Sequence, residues 1–373
     1  MKYQSLAVCQ QSIGYYIING KNYIIAHSGK ILLQKMISKK VVISTALFIV
    51  TVFSFCFIMF RIPGKSYHGP VPPLTDEQMV LRYQLRKDVA TLAGEIGDRN
   101  VSTEYENLCK AADFIEESFV EAGYKVSRQG YEVSLYGFKG RQCHNLEAEI
   151  TGSEKPNEIV VIGAHYDSLE GTPGANDNAT GVAALLALAR AFADKKPART
   201  IRFVAFANEE PPYFQSDDMG SFVYARRCRE RNENVVAMLS LETIGYYTDE
   251  KGSQDFPVGL MDYVFPTTGN FISFVGNIKS RKLLRDVTGF FREYAEFPSE
   301  AACLPEQIAG VAWSDQWSFW QNGYPGIMVT DTAPFRYPYY HTSEDTPDKI
   351  NYDRFAYLVD MLERVVAGIT ESN

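Results

Sequence analysis

The sequence lacks the features that several functional classes require. Its 45 Asp and Glu residues outnumber its 37 Lys and Arg residues, which gives a formal net charge of -8. The basic residues show no clustering of the kind that binds a phosphate backbone, so we expect no nucleic-acid partner. None of the six cysteines belongs to a C-x-x-C pair, so no cysteine-based zinc motif is present.

Four cysteines beyond residue 60 leave two alternatives open. They either form disulfides in one of three pairings, as an oxidising compartment would favour, or remain free thiols in the core. The four are Cys109, Cys143, Cys228 and Cys303. Their spacing does not decide between the two alternatives.

The run Val41–Phe60 is predominantly apolar and carries no charge. It has about the twenty residues that a membrane-spanning helix requires, so we expect an uncleaved signal-anchor that crosses the membrane once. A buried core helix is a weaker alternative, because a helix that is apolar all round has no aqueous face. A cleaved signal peptide is another alternative, but the run is longer than a signal core and no small-x-small cleavage site follows it.

Charges on either side of the run predict its orientation. Lysines at positions 35, 39 and 40 precede it, and Arg61 and Lys65 follow it. This slight excess of positive charge before the run places the C-terminal part outside the cytoplasm, in the periplasm or the extracellular space.

Four segments are expected along the chain. They are an N-terminal segment, 1–40, a transmembrane signal-anchor, 41–60, an extended linker, 61–73, and a folded domain, 74–373. The N-terminal segment resembles neither a targeting signal nor a domain, and Met36 is an alternative start of translation. The oligomeric state is not predicted by any of these features.

The folded domain has the pattern of an α/β protein. Thr75 and Gln78 form a capping-box signature before a helical apolar pattern, and Gly123 is placed to end a second helix. Two strand-like runs, around 125–135 and 145–150, precede an alternation of strand and helix. Its strands are Ile159–Ala164, Thr200–Ala207 and Val236–Leu241, and its helices are Ala179–Ala193 and Met219–Arg229. This alternation predicts a mixed, mainly parallel twisted sheet flanked by helices.

Polar residues follow each of the three alternating strands. His165 and Asp167 follow the first strand, Glu209 and Glu210 the second, and Glu242 the third. Because the carboxyl ends of parallel strands meet at one edge of the sheet, these side chains are expected to converge there. Two further candidates are Asp177, in the loop before a helix, and His341, far downstream in YYHTSEDTPDK.

Two imidazoles with several carboxylates are typical of a zinc site, with manganese and cobalt as further candidates. The chain has only five histidines, which makes the acidic surroundings of these two notable. Asp177, Glu210 and Glu242, together with a hydroxide, carry four negative charges, which two divalent ions balance. One carboxylate must then bridge ions roughly 3.5 to 4 Å apart.

The adjacent acids Glu209 and Glu210 suggest a division of roles. If Glu210 is a ligand, Glu209 is free to act as a general base. Asp167 is placed either to orient His165 or to cap the following turn. Taken singly, an acidic pair is more often a solvated turn and a histidine more often structural, so the argument depends on their common position at the sheet edge.

Six motifs in order carry a family resemblance: HYD, GANDNATG, ANEEPP, SLETIGYY, SDQWSFW and YYHTSEDTPD. From about Leu74 onward the chain resembles the dizinc aminopeptidases of the aminopeptidase S and Y type, whose relatives include glutamate carboxypeptidase and glutaminyl cyclase. The resemblance implies that Asp177 bridges two zinc ions, with His165 and Glu242 on one and Glu210 and His341 on the other. It implies that Glu209 is the general base and that Asp167 supports the first histidine.

The chain departs from the family pattern at three places. Asn178 stands where a second acid is common, and Glu242 stands where many members have Asp. The stretch PPYFQSDDMGS is longer than usual, which affects the expected specificity more than the chemistry.

The function implied is a membrane-anchored metalloaminopeptidase that acts on peptides. A single-zinc glutaminyl cyclase and a non-catalytic ectodomain of the same fold are the alternatives, and carboxypeptidases also occur among the relatives. Five aromatic residues, Tyr246, Trp313, Trp317, Phe335 and Tyr340, either wall a side-chain pocket or pack in the core. Asp315 either caps a helix that begins near Trp317 or lies at the site.

Overall fold

The computed structural model describes residues 14–18, 21–25, 43–51, 62–134 and 137–371, the first two by backbone alone. The chain divides into two units, Met1–Met59 and Phe60–Asn373. In the first unit, β1 (Gly14–Ile18) and β2 (Lys21–Ile25) pair antiparallel, and α1 comprises residues 43–51. The rest of the predicted signal-anchor Val41–Phe60 lies outside the described residues, as does most of the segment 1–40. Within the described ranges, no helix combines the length and apolar character that crossing a bilayer requires.

A sheet of eight strands forms the centre of the second unit. The strands are β3 (Val126–Glu132), β4 (Gln142–Ile150), β5 (Lys155–His165), β6 (Arg199–Phe206), β7 (Asn234–Glu242), β8 (Ile272–Gly276), β9 (Ser299–Cys303) and β10 (Ile327–Thr330). Their order is β3-β4-β6-β5-β7-β10-β8-β9. The central strands β6, β5, β7 and β10 run parallel, β8 runs antiparallel to β10, and β3 and β4 are antiparallel to their neighbours. The predicted mixed, mainly parallel sheet is therefore confirmed.

Helices cover the sheet on both faces. They are α2 (Asp76–Val89), α3 (Tyr105–Glu121), α4 (Gly181–Phe192), α5 (Gly220–Glu230), α6 (Arg281–Tyr294), α7 (Gln316–Gln321) and α8 (Tyr352–Glu371). Helix α4 contacts α2, α3 and α8, and α6 packs on α8, whereas α5 and α7 pack on each other. Ile159 and Val161 of β5 share a core with α5 and α7, so the buried Val160 and Ile162 face the opposite layer. Burial on both faces explains the continuous apolar run of this strand.

Local signals in the sequence predicted several element boundaries. Thr75 accepts a hydrogen bond of 3.2 Å from the Gln78 nitrogen, and the Gln78 side chain accepts one of 3.1 Å in return, so the capping box is present. Gly123, with a φ of +94°, follows α3, as expected for a left-handed residue after a helix. All four cysteines beyond residue 60 are free thiols, which rules out the disulfide alternative in this structure.

Candidate metal centre

Three neighbouring parallel strands deliver side chains to one edge of the sheet. His165 is the last residue of β5, Glu242 is the last residue of β7, and Glu209 and Glu210 follow β6. Asp177 lies in the turn that precedes α4, and His341 lies between β10 and α8. The structure thus brings together residues that the sequence separates widely.

The ligand atoms of these residues converge on two points. Nε2 of His165 lies 3.3 Å from Oδ1 of Asp177 and 3.2 Å from Oε2 of Glu242. Nε2 of His341 lies 3.1 Å from Oδ2 of Asp177 and 3.3 Å from Oε2 of Glu210. Asp177 therefore contributes one carboxylate oxygen to each group.

The donor set fits divalent zinc. Nε2 of His165, Nε2 of His341 and Oε1 of Glu210 are buried and have no hydrogen-bond partner among the described residues. Within each group, the three ligand atoms lie within 4.8 Å of one another. Imidazole nitrogen and carboxylate oxygen are usual zinc ligands. Because the carboxylates are buried in excess over the two histidines, cations are needed to offset their charge.

The close packing of buried acids and histidines shifts the pKa values of the groups in the cluster. Burial and the nearby Asp177 together raise the pKa of Glu210 to about 7, against the opposing effect of His341. Burial opposes protonation of His341, but the adjacent carboxylates of Asp177 and Glu210 raise its pKa to about 10. Burial also disfavours the charge of Asp177, yet the two adjacent imidazoles of His165 and His341 hold its pKa below the usual value. The two histidines and Asp177 thus behave as one interacting group.

Glu209 lies at the margin of this cluster. Its Oε2 is 4.0 Å from Nε2 of His165, and it also forms a three-residue group with His165 and Glu210. Burial, followed by the neighbouring acids Glu210, Glu242 and Asp315, raises the pKa of Glu209 well above its usual value. The geometry is therefore compatible with a ligand or with a proton acceptor.

Asp167 links the loops after β5 and β6. Its carboxylate oxygens accept hydrogen bonds of 3.1 Å from the backbone nitrogens of both Glu209 and Glu210. Nδ1 of His165 lies 3.2 Å from the carbonyl oxygen of Asp167 and 3.5 Å from its Oδ1. Its carboxylate thus holds the acidic pair and adjoins the histidine, rather than capping the following turn.

Several polar residues that the sequence did not single out support the ligands. Oδ2 of Asp345 accepts a 3.1 Å hydrogen bond from the backbone of Asp177, and its Oδ1 accepts one of 2.8 Å from the backbone of Asn176. The Ser314 hydroxyl donates to Oε2 of Glu242 at 2.7 Å. All three residues lie in motifs quoted above, Asp345 in YYHTSEDTPD, Ser314 in SDQWSFW and Asn176 in GANDNATG, but nothing in these motifs predicts the contacts.

Asn178 explains why an amide suits the position after Asp177. Its side-chain nitrogen donates to the carbonyl oxygen of Leu241 at 2.8 Å, and its oxygen accepts from the nitrogens of Gly181 and Thr243. A carboxylate cannot donate the first of these bonds at neutral pH. Asn178 therefore connects β7 to α4 and takes no part in the ligand groups.

Arg99 fixes the loop between His165 and Asp177. Its guanidinium is fully buried and donates to the carbonyl oxygens of Tyr166, Pro173 and Gly174 at 2.7, 2.5 and 2.9 Å. Two more carbonyl oxygens, those of Leu92 and Gly97, complete its contacts at 3.4 and 3.0 Å. One side chain thus satisfies backbone groups on both sides of the loop that carries the central carboxylate.

Strained backbone occurs beside the ligands. Asn208, Thr243 and His341 have φ values of 57°, 44° and 58°, in the left-handed region. For a β-branched residue such as Thr243 this conformation costs about 1–3 kcal/mol, so the surroundings must hold it. They do so through a 3.0 Å hydrogen bond between the hydroxyls of Thr243 and Thr330 and a 3.0 Å bond from the Thr243 nitrogen to Asn178.

Asp315 lies at the site and makes no capping hydrogen bond to α7. It is fully buried, and neither carboxylate oxygen has a hydrogen-bond partner among the described residues. Burial raises the pKa of Asp315 to about 7, and the nearby His165 opposes that shift. Of the two expectations for Asp315, proximity to the site is therefore the correct one.

An apolar pocket adjoins the cluster at Glu242 and Tyr340. It is partly open to solvent, and about 90 Å³ of its interior is accessible to the centres of water molecules. Three of the five aromatic residues considered above line it, namely Trp313, Phe335 and Tyr340, and the first two stack with ring centroids 6.4 Å apart. The other two pack elsewhere, Trp317 against Phe222 and Tyr246 against Tyr337.

Known proteins share this sequence pattern. Residues 145–366 match the model of a family described as Peptidase family M28. The uncharacterized protein YfbL of Escherichia coli strain K12 is 37% identical over 285 residues, which are 74% of this chain and 85% of YfbL. Leucine aminopeptidase 1 of Arthroderma gypseum is 28% identical over 309 residues, which are 76% of this chain and 75% of that protein.

Solved structures share the fold. A zinc aminopeptidase from Bacillus subtilis, BSAP, matches with a TM-score of 0.61 and 15% identity over 78% of this chain and 95% of its own. The glutaminyl cyclase of Tannerella forsythia matches with a TM-score of 0.56 and 19% identity over 79% of this chain and 99% of its own. At these identities the two structures support the fold alone. With the sequence matches, they confirm the resemblance that the six motifs indicated.

Proposed function

Because the chain belongs to peptidase family M28, and is thereby a zinc metallopeptidase, we propose that it is an aminopeptidase that uses two zinc ions. Its substrates are peptides, and the bond cleaved is the one after the N-terminal residue. The observation that carries the proposal is the placement of Asp177, whose two carboxylate oxygens face two different histidines. This placement supports a shared carboxylate between two ions.

Five residues would hold the ions. Asp177 would bridge them, His165 and Glu242 would complete one site, and Glu210 and His341 would complete the other. When bound, zinc lowers the pKa of a water molecule and polarises a peptide carbonyl group. With these ligands in place, Glu209 remains outside both sets.

Glu209 is proposed as the general base. It is buried beside His165, and the raised pKa caused by burial and the neighbouring acids suits a group that accepts a proton and then donates it. Asp167 holds the backbone of Glu209 and Glu210 and so keeps the base and its neighbouring ligand in fixed positions. The proton taken from the attacking water is then available for the leaving amine.

The surroundings of the cluster favour a free N-terminus. Two buried acids that are not assigned to either ion, Glu209 and Asp315, are available to attract an ammonium group. The apolar pocket that begins at Glu242 and Tyr340 is placed to receive the first side chain of the substrate. An internal segment of a peptide offers no ammonium group for this position.

The single-zinc cyclase and the non-catalytic ectodomain are less well supported. The described residues include both ligand groups and the unligated acid, whereas a binding module has no need for two complete sets. The match to a glutaminyl cyclase structure concerns the fold and carries no argument for that reaction.

The location is proposed from the sequence alone. We propose that Val41–Phe60 anchors the protein in a membrane by a single pass and that the peptidase domain lies outside the cytoplasm. Protease added to intact cells or spheroplasts should digest the domain. If the domain is instead protected from the protease until the membrane is lysed, the proposed orientation is wrong.

Substitution of two adjacent acids tests the chemistry. We expect Glu209→Gln to lower kcat by about 10²- to 10⁴-fold while the protein still binds two zinc ions. Glu210→Gln is the matched control, because it should weaken zinc binding at one site. Peptide hydrolysis that survives Glu209→Gln unchanged would refute the assigned base.

Zinc titration of the chelator-treated protein tests the stoichiometry and the end attacked. Activity should return with two zinc ions per chain, on peptides with a free N-terminus and not on their N-acetylated forms. Equal hydrolysis of acetylated peptides would indicate a carboxypeptidase or an endopeptidase. Saturation at one zinc ion without hydrolysis would favour the cyclase or binding alternatives.

A further inference from the structure

The floor of the apolar pocket is a row of aligned strand positions. Register pairs Glu242 of β7 with Thr330 of β10, Thr330 with Ser273 of β8, and Ser273 with Glu300 of β9. Residues paired in register point to the same face of a sheet, so the row leads from the metal centre to the edge strand. Three strand spacings separate its ends by about 14 Å.

Between the two ends the floor carries the hydroxyl side chains of Thr330 and Ser273, and an apolar row lies beside them. Val275, Ala302 and Met328 form the next row of the floor, one alternation along each strand. Phe256 and Phe265 also line the pocket. The middle of the pocket is therefore mainly apolar, carries no charged side chain and suits a hydrocarbon stem.

Glu300 closes the far end with a carboxylate. Its side chain is only 18% exposed, and its one ion pair among the described residues is with Arg292, at 3.9 Å. That guanidinium donates to the carbonyl oxygen of Ser299 at 2.8 Å and to its hydroxyl at 3.1 Å. Burial raises the pKa of Glu300, and Arg292, His68 and a hydrogen bond with the side chain of Ser66 oppose the shift. Arg292 thus lies near the carboxylate but beyond hydrogen-bond distance of it.

An apolar pocket that ends in a carboxylate matches a long stem with a cationic tip. Lysine and arginine have such side chains, and a charge-assisted hydrogen bond in a dry pocket is stronger than one in water. Residues with short side chains leave the end of the pocket unfilled, and an acidic side chain is repelled by it. We propose that Glu300 determines specificity for an N-terminal lysine or arginine, an inference that rests on the proposed aminopeptidase activity.

Matched substrates test this proposal in the zinc-loaded full-length protein. Lysyl, ε-acetyl-lysyl and norleucyl peptides share the hydrocarbon stem, and only the first carries a charge. We expect kcat/KM for the lysyl peptide to exceed that for the other two by at least about tenfold. Similar values for lysyl and norleucyl peptides would overturn the proposal, and Glu300 would then serve only as the partner of Arg292.

Two variants locate the preference. Glu300→Gln should bring lysyl and norleucyl peptides to within about twofold of each other, while norleucyl hydrolysis stays near that of the unaltered protein. Glu296→Gln removes an exposed charge in the same segment and should leave the lysyl preference unchanged. A lysyl preference that persists in Glu300→Gln would also overturn the proposal. Absence of hydrolysis with all three peptides and with leucyl peptides would instead count against the aminopeptidase activity itself.

Discussion

The carboxylate of Asp167 accepts a 3.1 Å hydrogen bond from the backbone nitrogen of Glu209, and the other oxygen of the same carboxylate accepts one from Glu210. The acidic pair after β6 is thus held by a residue that follows β5. Because the same residue also adjoins His165, it connects the proposed base with a ligand of each ion.

Asp167→Asn should therefore impair catalysis more than folding. The amide retains the size of the side chain but replaces one acceptor with a donor that faces a backbone N–H group. We expect kcat or zinc affinity to fall by about 10- to 100-fold, as is typical for groups that orient metal ligands. Steady-state kinetics and zinc titration measure both quantities, and unchanged values would show that Asp167 has no positioning role.

Ser314→Ala should weaken zinc binding without loss of the fold. The Ser314 hydroxyl donates to Oε2 of Glu242 at 2.7 Å, so its removal frees one ligand to rotate. We expect zinc affinity to fall about tenfold. Ser318→Ala is the control, because this buried hydroxyl instead pairs with Ser221 at 2.8 Å. If the two substitutions lower zinc affinity equally, the cause is general destabilisation and not the loss of the hydrogen bond to Glu242.

Arg99→Met should destabilise the protein strongly. The substitution leaves several buried carbonyl oxygens around the loop before Asp177 without their donor, and each costs about 1–3 kcal/mol. We expect the free energy of unfolding to fall by roughly 3 kcal/mol or more. Urea denaturation provides the measurement, with Arg190→Met as a comparison because Arg190 is partly exposed and pairs with Asp88. A loss for Arg99→Met no larger than that for Arg190→Met would contradict this account of the loop.

Removal of zinc should make stability depend on pH. Burial raises the pKa of Asp315 and Asp331 to about 7 in the ion-free fold, compared with about 3.9 for an unfolded aspartate. Such a carboxyl stabilises the fold while it is protonated, and this contribution is lost as the pH rises from about 4 to 7. The raised pKa of His341 acts in the same direction at higher pH, because stability gained from its charge is lost as it deprotonates.

Calorimetry across this range measures the effect. The unfolding temperature of the chelator-treated protein should fall as the pH rises from about 5 to 8, and that of the zinc-loaded protein should change less because the ions offset the buried charge. A chelated protein that becomes more stable over the same interval would contradict the sign.

The sequence predicted the central strands and the metal ligands, but it did not predict the residues that hold those ligands in place by hydrogen bonds. His165, Glu210 and Glu242 follow apolar strands, and the position of a residue after a parallel strand implies an edge of the sheet. Ser314, Asn176 and Arg99 carry no such local signal. They act through contacts with residues distant in the chain, and a single sequence contains no information on these pairings.

The second half of the sheet was not predicted at all. Strands β8, β9 and β10 are four or five residues long and lie among irregular segments, so their periodicity is too short to recognise. The pocket and Glu300 belong to this half, which is why the sequence suggested aromatic pocket residues without suggesting how the pocket ends. The membrane segment remains a prediction, since most of it lies outside the described residues.

The sharing of Asp177 between His165 and His341 has a consequence for synthesis. These two histidines lie nearly half the chain apart, and the residue that holds the backbone of Asp177, Asp345, also comes late. A nascent chain in which synthesis has just passed β7 therefore contains His165 but not His341. Asp177 is present without the hydrogen bond to Asp345, and the second ligand group is incomplete. If hydrolysis requires both ion sites, as proposed, activity begins only after the last part of the domain has been synthesised and folded.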